Sequence, residues 1–351
     1  MDARERGTEF KFMTTAPMER EATGSHRIID LARSVFSTVG ILPILLAVVI
    51  LYFASQESRF YGTANVTNVL RQSTFLIIVT LGQALVLISG GFDLSVGAVI
   101  AVTSVVSARY MSSYYAANPN SELTSVLVGI AVGLLVGVVF GLVNGIGVAR
   151  FKVSPFIMTL GMASVGSGFA LYYTGGSPVS GMPPLFTREI GTGRWFEIPV
   201  PIYVAIAAAI LVWFLVGSTS WGWYLYAIGG NTKAAFLSGI PVGVYTASVY
   251  VVCGLLAAVA GLLLTARTSS GEPNLGGQFP LESITAAVIG GISLRGGEGR
   301  IIGAVLGALF ITILTNGMNL IRVESYFQTI AIGAMLILAV IIDRLRDRWR
   351  V

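Results

Sequence analysis

The stretch that decides the fold is SVLVGIAVGLLVGVVFGLVNGIGV, which runs from Ser125 to Val148. It carries no charged side chain, and about 20 apolar residues suffice for a helix to cross the hydrocarbon core of a bilayer. Four glycines recur at every fourth position within it: Gly133, Gly137, Gly141 and Gly145. Small residues at this spacing share one helix face and let backbones approach closely in lipid. The stretch therefore predicts a membrane-spanning helix that packs against a neighbour through its glycines.

Similar apolar runs recur along nearly the whole chain, and they predict ten membrane-spanning helices. The predicted spans are Val35–Phe53, Val69–Ser89, Leu94–Met111, Ser125–Val148, Pro155–Tyr173, Pro199–Val216, Val244–Ala266, Leu281–Ile292, Ile301–Leu320 and Tyr326–Ile342. The eighth run is short, so we expect a short or partly re-entrant helix whose ends are satisfied by other helices. Ten spans place both termini on one side, and most of the 22 Lys and Arg residues lie on that side. The positive-inside rule makes it the cytoplasmic side.

The composition also indicates an all-α polytopic membrane protein. Only 11% of the residues are charged, against roughly 25% in soluble proteins, and the mean hydropathy is +0.80. The chain has one Cys, Cys253, and one His, His26, which leaves no disulfide framework, no metal cluster and no Ser-His or His-Asp enzyme site. The net charge of +5 is scattered at the ends of apolar runs, so it reflects membrane topology and not nucleic-acid binding.

The predicted organisation is a single membrane domain with polar ends. Residues 1–34 form a cytoplasmic N-terminal segment, residues 35–342 the transmembrane domain, and residues 343–351 a cytoplasmic tail. A cleaved signal sequence is disfavoured, because 34 mostly polar residues precede the first run and many spans follow. Residues 7–10, GTEF, look like two translated restriction sites. We therefore interpret residues 1–12 as cloning-derived, with the native start at Met13.

Two internal similarities suggest repeat architecture. Residues 144–156 (NG, then Arg, then SPF) resemble residues 316–327 (NG, then Arg, then SYF), and the two segments lie five spans apart. An odd offset reverses the orientation in the membrane, so this pair predicts an inverted repeat of five plus five spans. Residues 90–94, GGFDL, also resemble residues 290–294, GGISL, but at an offset of six spans. Both pairs cannot mark one repeat, and we favour the inverted one.

The segment around Asp93 places a charge between two apolar runs. A helix is expected to end at Gly90-Gly91, and Asp93 is expected to cap the next helix through the amide of Ser95 or Val96. An Asp at mid-bilayer costs on the order of 2.5 to 3.5 kcal/mol, so it must be satisfied by those amides or lie near the cytoplasmic face. The glycine pair, and its counterpart Gly290-Gly291, could also act as a hinge between helices.

Residues 218–242 form the longest predicted cytoplasmic interruption between spans. Gly229-Gly230-Asn231 should end one short helix, and Thr232–Leu237 should form a second that stops at Gly239 and Pro241. Four small residues leave a shallow face that a partner groove can grip: Ala234, Ala235, Ser238 and Gly239. An ordinary interfacial hairpin is the alternative.

The glycine-rich loop at residues 294–300 does not predict a nucleotide site. Glu298 follows Gly297 where a P-loop requires Lys and then Ser or Thr, and the dinucleotide fingerprint fails on spacing. We interpret the loop as a tight cytoplasmic turn. Beyond it, Gly299, Gly303 and Gly307 repeat the every-fourth spacing and predict a second packing face.

Three segments together resemble the permease subunits of bacterial ribose/xylose/arabinose-type ABC importers: GGFDLSVGAV (residues 90–99), AIGGNTKAAFLSGI (227–240) and AAVIGGISLRGGEGRIIGA (286–304). The resemblance covers about Leu42–Asp343. It implies a type II importer-like fold in the bacterial inner membrane and import of a pentose, hexose or related polyol by alternating access. Permeases for branched-chain amino acids or nucleosides are related, which makes those cargoes the alternative.

The resemblance also implies partners. These are a second permease copy with the sugar pathway between the two, a periplasmic sugar-binding protein, membrane lipid, and a cytoplasmic ATPase with two fused nucleotide domains. ATP and Mg²⁺ would be bound by that ATPase, and the chain itself would hold no cofactor. The residues placed on the ATPase-coupling segment are Gly229, Gly230, Asn231, Ala234, Ala235, Ser238 and Gly239. Family members often carry acidic residues where this chain has Asn231-Thr232-Lys233.

Substrate-pathway residues are harder to predict, because side chains that can bind a sugar hydroxyl also bond between helices. The candidates are Gln83, Asn144, Thr159, Glu282, Thr285, Asn316 and Asn319. For Glu282 we favour an ion pair with a neighbouring Arg over substrate contact. The outer segment from Gly175 to Val200 is a candidate docking surface for the binding protein, through Arg188, Glu189, Arg194 and Trp195, or else a solvated loop.

A second class of function is an ion-coupled secondary transporter. Such a protein should carry an intramembrane acidic or ion-coordinating cluster, and Asp93 is the one serious candidate for it.

Overall fold

The computed structural model describes residues 42–348, of which Ile342 and residues 344–348 are described by their backbone alone. Four parts of the chain lie outside the described residues: the predicted N-terminal segment, residues 1–12 that we interpret as cloning-derived, the start of the first predicted span, and residues 349–351. Within residues 42–348 we number twelve α-helices. They are α1 (Leu42–Gln56), α2 (Thr63–Ile88), α3 (Val96–Ala117), α4 (Glu122–Ala149), α5 (Pro155–Thr174), α6 (Val200–Ser218), α7 (Ser220–Gly230), α8 (Thr232–Leu237), α9 (Val242–Thr268), α10 (Phe279–Ile289), α11 (Ile301–Leu320) and α12 (Ser325–Arg348).

Shorter elements connect some of these helices. A 3₁₀ helix, Ser58–Tyr61, joins α1 to α2, and a π-helix, Phe186–Gly191, follows α5. Strand β1 (Arg194–Trp195) pairs antiparallel with β2 (Ile198–Pro199), with Trp195 opposite Ile198. The two turn residues of this hairpin, Phe196 and Glu197, both have positive φ, as a two-residue hairpin turn of the I′ type requires. The sequence analysis did not predict this hairpin.

The ten predicted spans each have a helical counterpart among the described residues. Seven helices are long and apolar enough to cross a membrane: α2, α3, α4, α5, α6, α9 and α11. The other three counterparts, α1, α10 and the apolar part of α12, are shorter apolar helices. The all-α polytopic class is therefore confirmed, and the full count of ten spans stays a prediction.

Several predicted boundaries were wrong. Helix α2 begins six residues before the predicted Val69, because polar residues such as Asn65 and Asn68 continue its first turns outside the apolar run. Helix α3 begins two residues after the predicted Leu94, because residues 89–95 form the preceding turn. Helix α10 spans Phe279–Ile289, shifted toward the N-terminus, since Pro280 fits its first turn and Gly291 ends it with a φ of +87°.

The helices differ widely in how deeply they are buried. In the most apolar 18-residue stretch of α2, 89% of the residues are buried inside the protein, and the corresponding shares are 78% in α3 and 72% in α9. In α5 the share is only 17%. Helices α2, α3 and α9 therefore form the centre of the packing, and α5 presents most of its surface outward.

The glycine face of α4 packs against α9, as the spacing predicted. A Cβ added at Gly141 would lie 2.5 Å from the Tyr250 carbonyl oxygen, and one at Gly145 would lie 2.8 Å from the Cα of Ala247. The second glycine face behaves similarly, because Gly303 and Gly307 of α11 contact the backbone of α10. Both stripes are thus packing surfaces between helix backbones.

The packing partners follow the inverted five-plus-five pattern. Helix α3 packs against α4 and α5, and its counterpart α10 packs against α11 and α12. Helix α9 packs against α3 and α4, and its counterpart α2 packs against α10 and α11. The two central helices, α2 and α9, pack against each other. The arrangement supports the inverted repeat over the last four spans of each half.

Candidate functional site

Helices α7 and α8 form the segment that the sequence singled out for partner binding. Helix α7 ends at Gly230, and the Asn231 side chain caps α8 by accepting a hydrogen bond from the Ala234 amide at 2.9 Å. Beyond α8, Gly239 has a φ of +83° and Pro241 precedes α9. The two predicted short helices and their stop signals are confirmed.

The tip of α8 is more apolar than the small residues alone suggested. Ala235 is buried, whereas Phe236 and Leu237 expose 69% and 75% of their surfaces. These two side chains were not among the predicted contact residues, although their position beside the small residues could have indicated them. An apolar tip beside small residues is suited to insertion into a groove of another protein.

Helix α7 is anchored to two other parts of the protein. The Trp221 indole donates to the Ser248 hydroxyl of α9 at 2.8 Å, and the Tyr226 hydroxyl donates to the Gly299 carbonyl at 2.8 Å. Burial raises the pKa of the Tyr226 phenol, so it remains a protonated donor at neutral pH. Movement of α7 is therefore linked directly to α9 and to the loop before α11.

Three segments meet at the C-terminal end of α7 through the backbones of glycines. We call this contact the glycine junction, and its residues are Gly90, Gly229, Gly230, Gly296 and Gly297. The Gly297 amide donates to the Ile88 carbonyl at 2.8 Å. A Cβ on Gly296 would lie 2.8 Å from the Cα of Gly90, and one on Gly229 would overlap the Ile88 carbonyl oxygen. The end of α2, the end of α7 and the α10–α11 loop are thus in direct backbone contact, and at Gly229, Gly296 and Gly297 this contact leaves no room for a side chain.

The two GG segments form similar turns. Gly90 and Gly291 both have positive φ, +84° and +87°, at the ends of α2 and α10. In the first turn, an Asp93 carboxylate oxygen accepts from the Ser95 amide at 2.8 Å and from the Ser95 hydroxyl at 2.6 Å. In the second turn the glycine with positive φ is the second of the pair, and the Ser293 hydroxyl accepts from the amide of Arg295 at 3.3 Å.

Asp93 is buried, and its predicted bond to the Ser95 amide is confirmed. The Asn144 amide of α4 donates to the Ser95 hydroxyl at 2.8 Å, which extends the cluster to a second helix. The charge is thus satisfied locally. Across residues 42–348, no group of three or more His, Cys, Asp or Glu residues could hold a metal ion.

The other pathway candidates mostly bond within or between helices. Thr159 and Thr285 donate to carbonyls four residues earlier in their own helices. Asn316 exchanges two 3.0 Å hydrogen bonds with Asn65, and Asn319 accepts from Gln328 at 2.8 Å. Gln83 differs, because both polar atoms of its buried side chain lack a hydrogen-bond partner.

The structure contains two cavities that we name by their position, one at the glycine junction and one beside α5. The junction cavity, about 160 Å³, is lined by Ser89, Gly90, Gly91, Val148, Ala149, Lys152, Pro155, Ile228, Thr232, Val242, Thr246 and Tyr250. The flank cavity, about 500 Å³, lies between α3, α5 and residues 273–281, and its polar lining includes Ser167 and Asn274. Neither cavity is lined by any of the seven predicted pathway residues.

A third cavity, the charged cavity, has a volume of about 240 Å³. It is lined by Gln72, Phe75, Leu76, Arg267, Phe279, Glu282, Ile311, Thr312 and Thr315. The expected ion pair of Glu282 does not form in the part of the chain that the structure describes. Glu282 is the one predicted pathway residue that lines a described cavity. Arg267 and Gln72 were missed because they lie at span ends, where the sequence resembles ordinary interfacial loops.

The segment between α5 and α6 presents charged and aromatic groups together. Arg188 pairs with Glu189 at 2.9 Å, and Arg194 lies 3.8 Å from Glu197. Trp195 is exposed, and its carbonyl accepts from the Tyr203 hydroxyl at 2.8 Å, which holds the hairpin against α6. The four candidate docking residues are thus all exposed, and their role remains a prediction.

Comparison with known proteins gives a family match over most of the chain. Residues 65–340 match the family described as branched-chain amino acid transport system / permease component. A ribose import permease from Bacillus subtilis is 38% identical over 300 residues, covering 85% of this chain and 90% of the relative. No solved structure matches the chain significantly.

Further relatives carry other cargo names. A galactose/methyl galactoside import permease from Haemophilus influenzae is 37% identical over 316 residues, covering 87% of this chain and 93% of the relative. A D-allose transport system permease from Escherichia coli is 34% identical over 306 residues, covering 86% of this chain and 90% of the relative.

Proposed function

Since this chain belongs to the family of transport-system permease components, we propose that it is the membrane subunit of an ATP-driven monosaccharide importer. It is a transport subunit and not an enzyme, and the hydrolysis of ATP takes place in a separate partner. The family description names branched-chain amino acids, while the relatives described above are permeases for ribose, galactose and allose. A sugar cargo is therefore favoured over an amino acid or nucleoside.

The observation that carries the energy-coupling part is the glycine junction. The exposed tip of α8, with Phe236 and Leu237, offers the contact surface for a cytoplasmic ATPase with two fused nucleotide domains. Through Gly229, α7 touches the end of α2, and through Tyr226 it touches the α10–α11 loop. A displacement of α7 and α8 by the ATPase would thus reach both halves of the inverted repeat at once and drive alternating access.

Two copies of the chain are proposed to enclose the pathway. The flank cavity lies beside α5, the least buried of the seven long apolar helices. In the proposed dimer this face meets its equivalent in the second copy, and the cavity becomes part of a closed passage. Small and weakly polar lining residues such as Gly97, Ala98 and Ser167 suit a passage that releases its cargo.

The proposed orientation places α7, α8 and both termini in the cytoplasm of a bacterial cell. The segment from Gly175 to Val200 then faces the periplasm. There its exposed Trp195 and the charged pairs around it offer a contact surface for a sugar-loaded binding protein.

An ion-coupled transporter is the less favoured function. Asp93 is buried, its carboxylate already binds Ser95, and it does not line any of the three cavities described above. None of these three cavities gives a coupling ion a path to this carboxylate.

The test is uptake of a radiolabelled panel of D-ribose, D-galactose, D-allose, L-leucine and a nucleoside. The permease, its ATPase and its binding protein are reconstituted in vesicles, and each is omitted in turn. We expect accumulation of a monosaccharide only with all three components and ATP. Accumulation by the permease alone along an ion gradient, or of leucine in place of sugars, would overturn the proposal.

A further inference from the structure

The charged cavity lies at the end of the bundle opposite α7 and α8. Gln72 precedes Ile88, which contacts the glycine junction, by 16 residues along α2. At 1.5 Å per residue this places the cavity roughly 24 Å from the junction along the helix axis. The cavity walls come from α2, α9, α10 and α11, so it lies within a single subunit, whereas the flank cavity adjoins the exposed face of α5.

The polar groups of this cavity are unusual in lacking partners. Arg267 lies over the Phe75 ring, 5.6 Å from its centroid, and forms no ion pair among the described residues. Glu282 projects from the first turn of α10 and is likewise unpaired within residues 42–348. A carboxylate and a guanidinium that share one cavity without pairing keep their hydrogen-bonding capacity available.

Further groups add directional hydrogen bonding. The carboxamide of Gln72 has no side-chain partner within the described part of the protein, so it offers both donors and an acceptor. Thr312 and Thr315 donate their hydroxyl protons to carbonyls four residues earlier, at 2.9 Å each, which leaves their oxygens free to accept. Arg71, next to Gln72, does not line the cavity and lies within 3.4 Å of the Asn68 carboxamide.

The apolar part of the lining is aromatic. Phe75 and Phe279 both border the cavity. The lining itself carries one positive and one negative side chain, Arg267 and Glu282. The volume of about 240 Å³ is below the 300 to 1,000 Å³ typical of drug-sized ligand pockets. A small, neutral ligand with many hydroxyls and an apolar C–H face matches this combination.

We propose that the charged cavity is a second sugar-binding site, contained within one subunit at the end where cargo would enter. Glu282 accepts hydrogen bonds from sugar hydroxyls, Arg267 and Gln72 donate to them, and the phenyl ring of Phe279 contacts the C–H face. The cargo class rests on the proposed function, whereas the site rests on the unpartnered groups. Binding here would hold the sugar between its release by the binding protein and its entry into the passage between subunits.

The test uses the full-length permease alone, purified and placed in lipid nanodiscs. The native Cys253 is buried, so a cysteine introduced by Thr315→Cys becomes the accessible thiol in the charged cavity. Ser167→Cys places a matched thiol in the flank cavity. The rate of labelling by a small methanethiosulfonate reagent is measured with increasing D-ribose, D-galactose or L-leucine.

We expect at least one of the two sugars to slow labelling of Thr315→Cys. Adding Glu282→Gln to that variant should raise the sugar concentration for half-protection about tenfold, because a hydrogen bond to a charged group is lost. Glu57→Gln, the same exchange at a position just after α1 and outside the cavity, should leave it unchanged. Arg267→Lys, which keeps the charge but loses the guanidinium fork, should also weaken protection.

Three results would overturn the proposal: no protection of Thr315→Cys by either sugar, protection by L-leucine alone, or protection that Glu282→Gln and Arg267→Lys leave unchanged. Because the labelling needs neither ATP nor partners, it is independent of the uptake experiment. Sugar uptake by the complete importer with an unprotected Thr315→Cys would refute the site and leave the proposed function standing. Protection of Thr315→Cys by a sugar, without ATP-driven uptake by the complete importer, would support the site and refute the proposed function.

Discussion

The two ends of the helix bundle are built differently. At the α7–α8 end, loops meet through glycine backbones, and the Asp93 carboxylate is supplied with donors by Ser95. At the opposite end, Arg267 and Glu282 face a cavity without pairing to each other. Close backbone contact passes a displacement from one helix to the next, whereas unpartnered polar groups remain available to a ligand. This difference underlies the two proposals, that one end transmits movement and that the other receives cargo.

The largest expected effect is at the glycine junction. Gly229→Val would drive its side chain into the Ile88 carbonyl and the Gly297 amide, so α7 must separate from α2. We expect a loss of stability of about 1–3 kcal/mol from overpacking, together with loss of ATP-driven uptake. The measurements are thermal unfolding of the purified protein and uptake in vesicles.

The matched control is Gly230→Ala, because a Cβ added at Gly230 meets nothing within 4 Å. It should melt and transport as the unmodified protein does. Equal behaviour of Gly229→Val and Gly230→Ala would show that the two loops are not in close contact, and the proposed transmission route would fail.

The second effect concerns the polar cluster at the same end. Asp93→Ala leaves the buried Ser95 amide without its acceptor, which should cost about 1–3 kcal/mol in the free energy of unfolding. Asp93→Asn keeps an acceptor oxygen and should cost less. Melting temperatures of the two variants measure this difference.

Asp93→Asn also separates the two classes of function. In a partner-driven importer it should retain most of its uptake, because the carboxylate only accepts hydrogen bonds from Ser95. Abolished uptake in a variant that melts normally would point to ion coupling through this carboxylate.

A third effect is confined to the apolar tip of α8. Phe236→Ala should weaken binding of the ATPase roughly tenfold, as truncation of a well-placed aromatic contact does, without changing the melting temperature. Phe196→Ala, an exposed aromatic at the opposite end, is the control and should leave ATPase binding unchanged. Co-purification of the ATPase at graded concentrations provides the measurement, and equal binding by both variants would place the contact elsewhere.

The smallest effect is expected at the exposed pair beside α1. Hydrogen bonds from Arg59 hold the pKa of Glu57 below its usual value of 4.5. A carboxyl with a lowered pKa contributes stability above its unfolded pKa and loses it as the pH falls through the folded value. Glu57→Gln should therefore lower the melting temperature only slightly across about pH 5 to 8, where Glu57 is ionised, because a pair whose Arg59 is largely exposed contributes little. A large drop in melting temperature in that range would show that the Glu57–Arg59 pair contributes more to stability than this prediction allows.

Much of the architecture could be predicted because the determining signals are local. Apolar runs located ten helices, and the Gly-Gly-Asn and Gly-x-Pro signals located both ends of α8. The every-fourth glycines of α4 predicted a packing face, and the echo of residues 144–156 in residues 316–327 agreed with the packing partners. Boundaries were missed where polar first turns, as in α2, continue a helix beyond its apolar run.

The site was only partly predictable. The sequence located the α7–α8 segment and the bond from Asp93 to the Ser95 amide, although Ser95 and not Asp93 is the N-cap of α3. It chose the pathway residues by their hydrogen-bonding capacity alone. The structure shows that Asn144, Asn316 and Asn319 use that capacity within the bundle. Residue type alone cannot reveal whether a polar group already has a partner, since that partner belongs to another helix.

The sequence by itself determined the membrane class, the positions of the helices and the caps of the short segment, because these follow from the composition and spacing of residues close together in the chain. Only the tertiary structure decided that Gly90, Gly229 and Gly297 meet, and that Arg267 and Glu282 share a cavity without pairing. These groups are distant in the chain and come together through helix packing. Whether they touch depends on the crossing angles and rotations of whole helices, and these cannot be read from the residues next to each group in the chain.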